Sequence, residues 1–195
     1  DPFQELNFTT KLVQSGEYDQ AEGIHKKLMR TFVIEGNKLG IAQVNYASGY
    51  LEMYKGYHKK AAEFHHKAYE IFKKEGYEMR ANSAKHQLGN CMYYNYDDVN
   101  ALAMFKQYQE SAIEIGHSNK VFTAQAMIAT FTVIAGNYTT GRKQLNGCMA
   151  VFQSRNDEYG KLMQEMTKQT LAWIDYFEGN VEACIDVFEG MVDIP

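Results

Sequence analysis

A chain of 195 residues with 45% hydrophobic and 23% charged side chains has enough apolar surface to fold, which excludes an intrinsically disordered segment. Its formal net charge of -4 and the lack of a basic stripe argue against nucleic acid as a partner. No apolar run approaches the roughly 20 residues needed to span a bilayer, so no membrane insertion is expected.

The two prolines, Pro2 and Pro195, stand at the ends, and nothing between them forbids helix. Asp1-Pro2 reads as an N-cap followed by proline in the first turn. Phe3, Leu6, Phe8, Leu12 and Val13 then carry a first helix up to Gly16. A second runs from about Asp19 to Glu35, with Ala21, Ile24, Leu28 and Phe32 on one stripe at spacings of three and four. Gly36 and Asn37 are expected to end it as left-handed residues do. The next pair is Leu39 to Lys55 and Lys59 to Glu75, broken at Gly56 and ended at Gly76. It is followed by Met79 to Asn95 and Val99 to Ile115, with Asp97 and Asp98 available as caps, and then by Asn119 to Ala135 and Thr139 to Arg155. A fifth pair begins near Glu158 and turns at Gly179-Asn180, three residues late, and its second helix, from about Val181, is cut off after Met191. The expectation is ten helices and no strands.

These pairs are a repeat. Gly36, Gly76, Gly116 and Asn156 stand 40 residues apart, as do the frames that open at Gly16, Gly56, Tyr96 and Gly136. The chain is expected to be a single array, 1–195, with repeats at about 2–37, 38–77, 78–117, 118–157 and a truncated 158–195. The columns explain why paired helices pack. The first helix of a pair places a small residue (Gly49, Gly89, Ala129, Ala172), and the second opens with another (Ala21, Ala61, Ala101, Gly141, Cys184). Large groups follow at His25, His65, Phe105, Leu145 and Phe188, and again at Phe32, Phe72 and Phe152, with Ala112 in that column of the third repeat. Small against large at a fixed interval lets two helices interdigitate.

Leu88-Gly89-Asn90-Cys91-Met92-Tyr93 with Tyr96 and Ala101, together with Gly49, Gly56-Tyr57, Ala61, Gly136, Tyr138 and Phe152, resembles the tetratricopeptide repeat. The usual repeat has about 34 residues; the 40-residue period is similar to the longer subclass found in Pins/LGN-type polarity adaptors, rapsyn, kinesin-light-chain relatives and bacterial peptide-pheromone receptors of the Rap type. Glu52, where an aromatic is typical, and Gly141, where alanine is, depart from the pattern. The resemblance implies an all-α, right-handed α-solenoid of helix-turn-helix hairpins whose first helices line a concave groove. It also implies a scaffold or adaptor that holds a protein or peptide ligand there.

In that register the expected partner-binding residues are Tyr46 and His86; Tyr50, Asn90, Thr130 and Trp173; and Met53, Tyr93 and Tyr176, with Ala126 and Val133 completing the columns. Aromatics with polar handles bury area while bonding a ligand backbone, and an amide such as Asn90 offers both donor and acceptor. The groove columns lack the Lys/Arg clusters of a clamp for an acidic C-terminal tail. His58, His65, His66 and His86 lie close in sequence, but His65 shares a packing column with Phe105 and Leu145, so neither a metal site nor a cofactor is expected. No nucleophile motif, phosphate loop or zinc-helix motif occurs, so no enzyme is expected. Cys91, Cys148 and Cys184 are expected to be buried reduced thiols. The chain lacks an initiator Met and a signal peptide and stops in mid-repeat, as a fragment of a cytoplasmic protein would. Alternative readings are a strut in a motor or axonemal type of assembly, a peptide-pheromone sensor, and self-association through the truncated end.

Overall fold

The structure, a computed structural model, describes residues 1–192, and side chains to residue 190. The described residues form ten helices: α1 (Pro2–Gln14), α2 (Tyr18–Ile34), α3 (Lys38–Tyr54), α4 (His58–Lys74), α5 (Glu78–Tyr94), α6 (Asp98–Glu114), α7 (Ser118–Ile134), α8 (Tyr138–Gln153), α9 (Glu158–Phe177) and α10 (Val181–Val192). They fall into two compact units, Asp1–Ser111 and a second that begins at Ala112, with the division inside α6.

One three-residue link joins almost every helix to the next. After α1 it consists of Ser15, Gly16 and Glu17. Gly16 takes φ 82°, its N–H bonds the Val13 carbonyl at 3.2 Å, and the Glu17 N–H reaches back to Leu12 at 2.8 Å. This is the Schellman arrangement, which satisfies carbonyls that a helix end leaves orphaned. The same pair of bonds recurs at Gly36/Asn37, Gly56/Tyr57, Gly76/Tyr77, Gly116/His117, Gly136/Asn137 and Gly179/Asn180. The residue after the left-handed one is at once the tail of one helix and the N-cap of the next. The helices therefore start and stop one residue earlier than the sequence pattern suggests, and Asn37 is not left-handed but extended, its side chain accepting from the Gly40 N–H at 2.9 Å. Tyr96 fills the left-handed position between α5 and α6 at φ 60°, the only non-glycine residue at positive φ among the described residues. Asp97 follows it and caps α6, accepting from the Asn100 backbone N–H. The α8–α9 link departs from the rule: Asp157 caps α9 through the Gly160 N–H at 2.8 Å, and Asn156 shows no positive φ.

The expected columns form the core. In unit 1, Ala21, Ala61 and Ala101 are fully buried, as are Phe32, Phe72 and Phe105. A Cβ added at Gly89 would come within 2.8 Å of Cε1 of Phe105, and one at Gly49 within 2.5 Å of the His65 ring, so glycine is what lets those helices approach. Between hairpins, Phe32 joins Leu6, Leu28 and Val44, and Phe72 joins Ala42, Ala68, Ala81 and Ala84. In unit 2, Phe152 and Cys148 pack with Ala126 and Met163, and Leu145 with Ala129, Val133 and Ile174. Arg142 of α8 donates to Asp175 of α9 and to Glu178, the residue that follows it, at 2.7 and 2.6 Å. The three cysteines are free and buried, and burial pushes the Cys91 thiol up to about 12 and Cys148 to about 11.

Two buried histidines take the large-residue column differently. His25 lies between Thr9 and Ser48. The Thr9 hydroxyl donates to the Leu6 carbonyl at 2.6 Å, so it can only accept from His25 Nε2–H, at 2.9 Å; His25 Nδ1 then accepts from Ser48 at 3.2 Å. His65 has no hydrogen-bond partner at either ring nitrogen and sits edge-on to Tyr46 and Tyr50. Burial lowers the pKa of His25 to about 4 and that of His65 to about 3.

Candidate binding groove

A concavity of about 780 Å³ in unit 1 lies along the first helices of successive hairpins. From α1 it takes Phe3, Asn7, Thr10 and Gln14, one residue per turn on a single stripe. From α3 it takes Leu39, Gln43, Ala47, Tyr50 and Tyr54, with Tyr46 beside them. Arg80 and Ser83 of α5 line the far wall, and Phe72 closes the floor. These are the same columns moved by the repeat interval: Phe3, Asn7, Thr10 and Gln14 stand 40 residues before 43, 47, 50 and 54, and Ser83 stands 40 after Gln43.

The walls are amides, hydroxyls and rings. Turning the Gln43 amide places its oxygen 2.7 and 3.1 Å from the two terminal nitrogens of Arg80, which ties α3 to α5 across the groove. Gln87 makes a second tie: its Nε2 donates to the Tyr50 hydroxyl at 2.7 Å while its Oε1 accepts from Asn90 Nδ2 at 3.1 Å. Tyr46 is deeply set, its ring edge-on to Tyr50 at 5.3 Å, and burial raises its pKa well above the ordinary phenol value. Arg80 is the one formally charged residue in the lining, and no Asp or Glu belongs to it.

Of the residues expected from sequence, Tyr46 and Tyr50 line this groove. Asn90 stands one bond behind it, through Gln87. His86 packs against α6, with ring centroids 5.0 Å from Tyr108 and 6.0 Å from Phe105. Met53 and Tyr93 are half-buried outside the lining, Tyr93 beside Tyr94 at 5.4 Å. Thr130, Trp173 and Tyr176 belong to unit 2, where Thr130 bonds the Ala126 carbonyl and Trp173 and Tyr176 are half-exposed. Ala126 and Val133 are core rather than surface, a correction to those columns, because they pack in the clusters around Phe152 and Leu145. The residues the sequence reading missed are Asn7, Thr10, Gln14, Gln43, Ala47, Tyr54, Arg80 and Ser83. The signal that could have found them is the column of Tyr50 continued one turn each way.

The same column in α9 reads Leu162, Met166, Thr170, Trp173 and Phe177, and its four large members are exposed on unit 2. Glu52, at the typically aromatic position, is buried and takes Lys60 at 3.0 Å. Among the described residues no helix is long and apolar enough to cross a membrane, and no three His, Cys, Asp or Glu side chains converge as metal ligands would.

No family model and no curated protein matches the sequence. Solved structures do match the fold. The apo form of RapI is 13% identical with a TM-score of 0.76, over 97% of this chain and 68% of that one. BtubC (BKLC) from P. vanneervenii is 15% identical with a TM-score of 0.73, over 100% and 85%. The TPR-like repeats of a putative kinesin light chain from Podosopora anserina are 12% identical with a TM-score of 0.68, over 97% and 93%. Among the described residues ten helices and no strands stand in successive hairpins, so the fold is all-α and is similar to that of these TPR-like repeat structures.

Proposed function

We propose that the chain is a protein-interaction scaffold with no chemistry of its own, and that the groove of unit 1 holds a segment of a protein partner. The observation that carries this reading is the lining: the rings of Tyr50 and the exposed Tyr54 interleaved with the amides and hydroxyls of Asn7, Thr10, Gln14, Gln43 and Ser83. Rings supply area with little entropy to lose, and amides can pair with the backbone of an extended guest. From Leu39 to Tyr54 is 15 helical steps of about 1.5 Å, roughly 22 Å, which fits about six extended residues. The fold supports the same reading, since each hairpin adds a few contacts and affinity comes from their sum. The exposed α9 stripe of Leu162, Met166, Trp173 and Phe177 is a second apolar surface of the kind that meets proteins.

The test is a peptide selected from a random displayed library on the intact chain and measured by fluorescence anisotropy. Thr10→Trp, which puts a large ring over the groove from an exposed position, abolishes binding, while Glu63→Trp on the exposed side of α4 leaves it unchanged. Equal binding by both variants sinks the groove reading.

A further inference from the structure

We propose that the groove of unit 1 selects segments carrying an internal acidic side chain, which docks on Arg80. The proposal rests on the groove reading above and adds the chemistry of the guest. Three observations carry it. Arg80 is the single formal charge in a lining with no Asp or Glu, on a chain whose net charge is -4. None of the ion pairs among the described residues involves Arg80, although it is exposed and within a groove that other chains could enter. The Gln43 oxygen, after the amide is turned, meets both terminal nitrogens at 2.7 and 3.1 Å. A guanidinium has five N–H donors, so a partner that occupies two leaves three, and a neutral amide leaves the charge uncompensated. A guanidinium held at a neutral oxygen is already oriented for a carboxylate, which it binds in charge-assisted pairs.

The position along the groove decides which carboxylate fits. Gln43 stands between Leu39 on one side and Ala47, Tyr50 and Tyr54 on the other. The lining therefore continues past the charge in both directions. A chain terminus at Arg80 would leave one arm empty; an Asp or Glu within the segment fills both, with apolar neighbours against Leu39 and Ala47.

The experiment uses two seven-residue peptide libraries, acetylated and C-terminally amidated, that differ only in a central Glu or Gln. Binding to the intact chain is read by anisotropy at low and high salt. The Glu library is expected to bind about tenfold tighter than the Gln library at low salt, and Arg80→Gln is expected to bring the two level. Equal binding of the two libraries to the wild type overturns the proposal, as does a Glu preference that survives Arg80→Gln. A Gln peptide with a free C-terminus that matches the Glu peptide overturns it too, because the carboxylate would then be terminal. If Thr10→Trp abolishes binding of two libraries that bind equally, the groove reading stands and the acidic docking alone falls. If Thr10→Trp changes nothing, both fall.

Discussion

Replacing His65 by phenylalanine is expected to stabilise the protein, and more so in mild acid. His65 is fully buried with neither ring nitrogen hydrogen-bonded, and burial of unsatisfied polar atoms costs about 1–3 kcal/mol. Its column holds Phe105 one repeat later, packed on Gly89 as His65 packs on Gly49, so the fold accommodates a phenyl ring in this place. His65→Phe should therefore gain about 1–3 kcal/mol at pH 7, which for a chain of this size raises Tm by about 2–4 °C per kcal/mol. The pH term adds to this. The imidazole titrates near 6.5 when exposed and near 3 here, so the unfolded chain binds the proton first as pH falls. Stability is lost from about pH 6.5 downward, at about 1.4 kcal/mol per unit, and levels off below about 3. At pH 5 the wild type has lost about 2 kcal/mol through this residue, and the variant none. Urea unfolding of both proteins at pH 7 and pH 5 measures the difference. A variant less stable at pH 7, or a gap that does not widen at pH 5, refutes the reasoning.

Tyr96→Gly should stabilise by about 1 kcal/mol, because the left-handed conformation that Tyr96 adopts at φ 60° costs a residue with a Cβ about 1–2 kcal/mol, of which glycine gives part back in entropy; chemical denaturation showing no gain refutes the strain. Gly89→Ala should destabilise by about 1–3 kcal/mol, since its Cβ would lie 2.8 Å from Phe105, and a neutral result in the same assay would show that the α5–α6 approach is loose. His25 should titrate near pH 4 by NMR, because burial opposes the charge, with a hydroxyl donor also in place at its Nδ1; a normal value near 6.5 contradicts a buried neutral ring. Ser48→Ala removes that donor and should raise the pKa of His25 while lowering stability at pH 7 by about 1 kcal/mol.

The repeat was legible because two chemistries write it into the sequence. Glycine is the residue that takes a left-handed turn without strain, and small residues are needed where helices approach, so Gly36, Gly76, Gly49 and Gly89 keep time. At Tyr96 only the 40-residue interval marks the turn, since no composition rule marks a strained tyrosine. Helix starts shifted by one because Glu17, Tyr57, Tyr77 and His117 cap without a side-chain bond and so carry no capping signature. The groove was half legible. Tyr50 stands in the column that lines the concavity, but its neighbours at three and four residues on either side are equally close on a helix. The lining runs through 43, 46, 47 and 54 and leaves out 53, and only the placement of α1 and α5 settles which. Arg80 was invisible for another reason: it stands 40 residues after Gly40, at a position whose role changes between hairpins.

The central claim is that unit 1 receives its guest along α1 and α3. Amide chemical-shift mapping of the isotope-labelled chain with a library-selected peptide tests it most directly. The account predicts perturbations concentrated at Asn7, Thr10, Gln43, Ala47 and Tyr50. Perturbations confined to the outer faces of α2 and α4, at Lys26, Glu63 or Lys67, with those five unmoved, would contradict it.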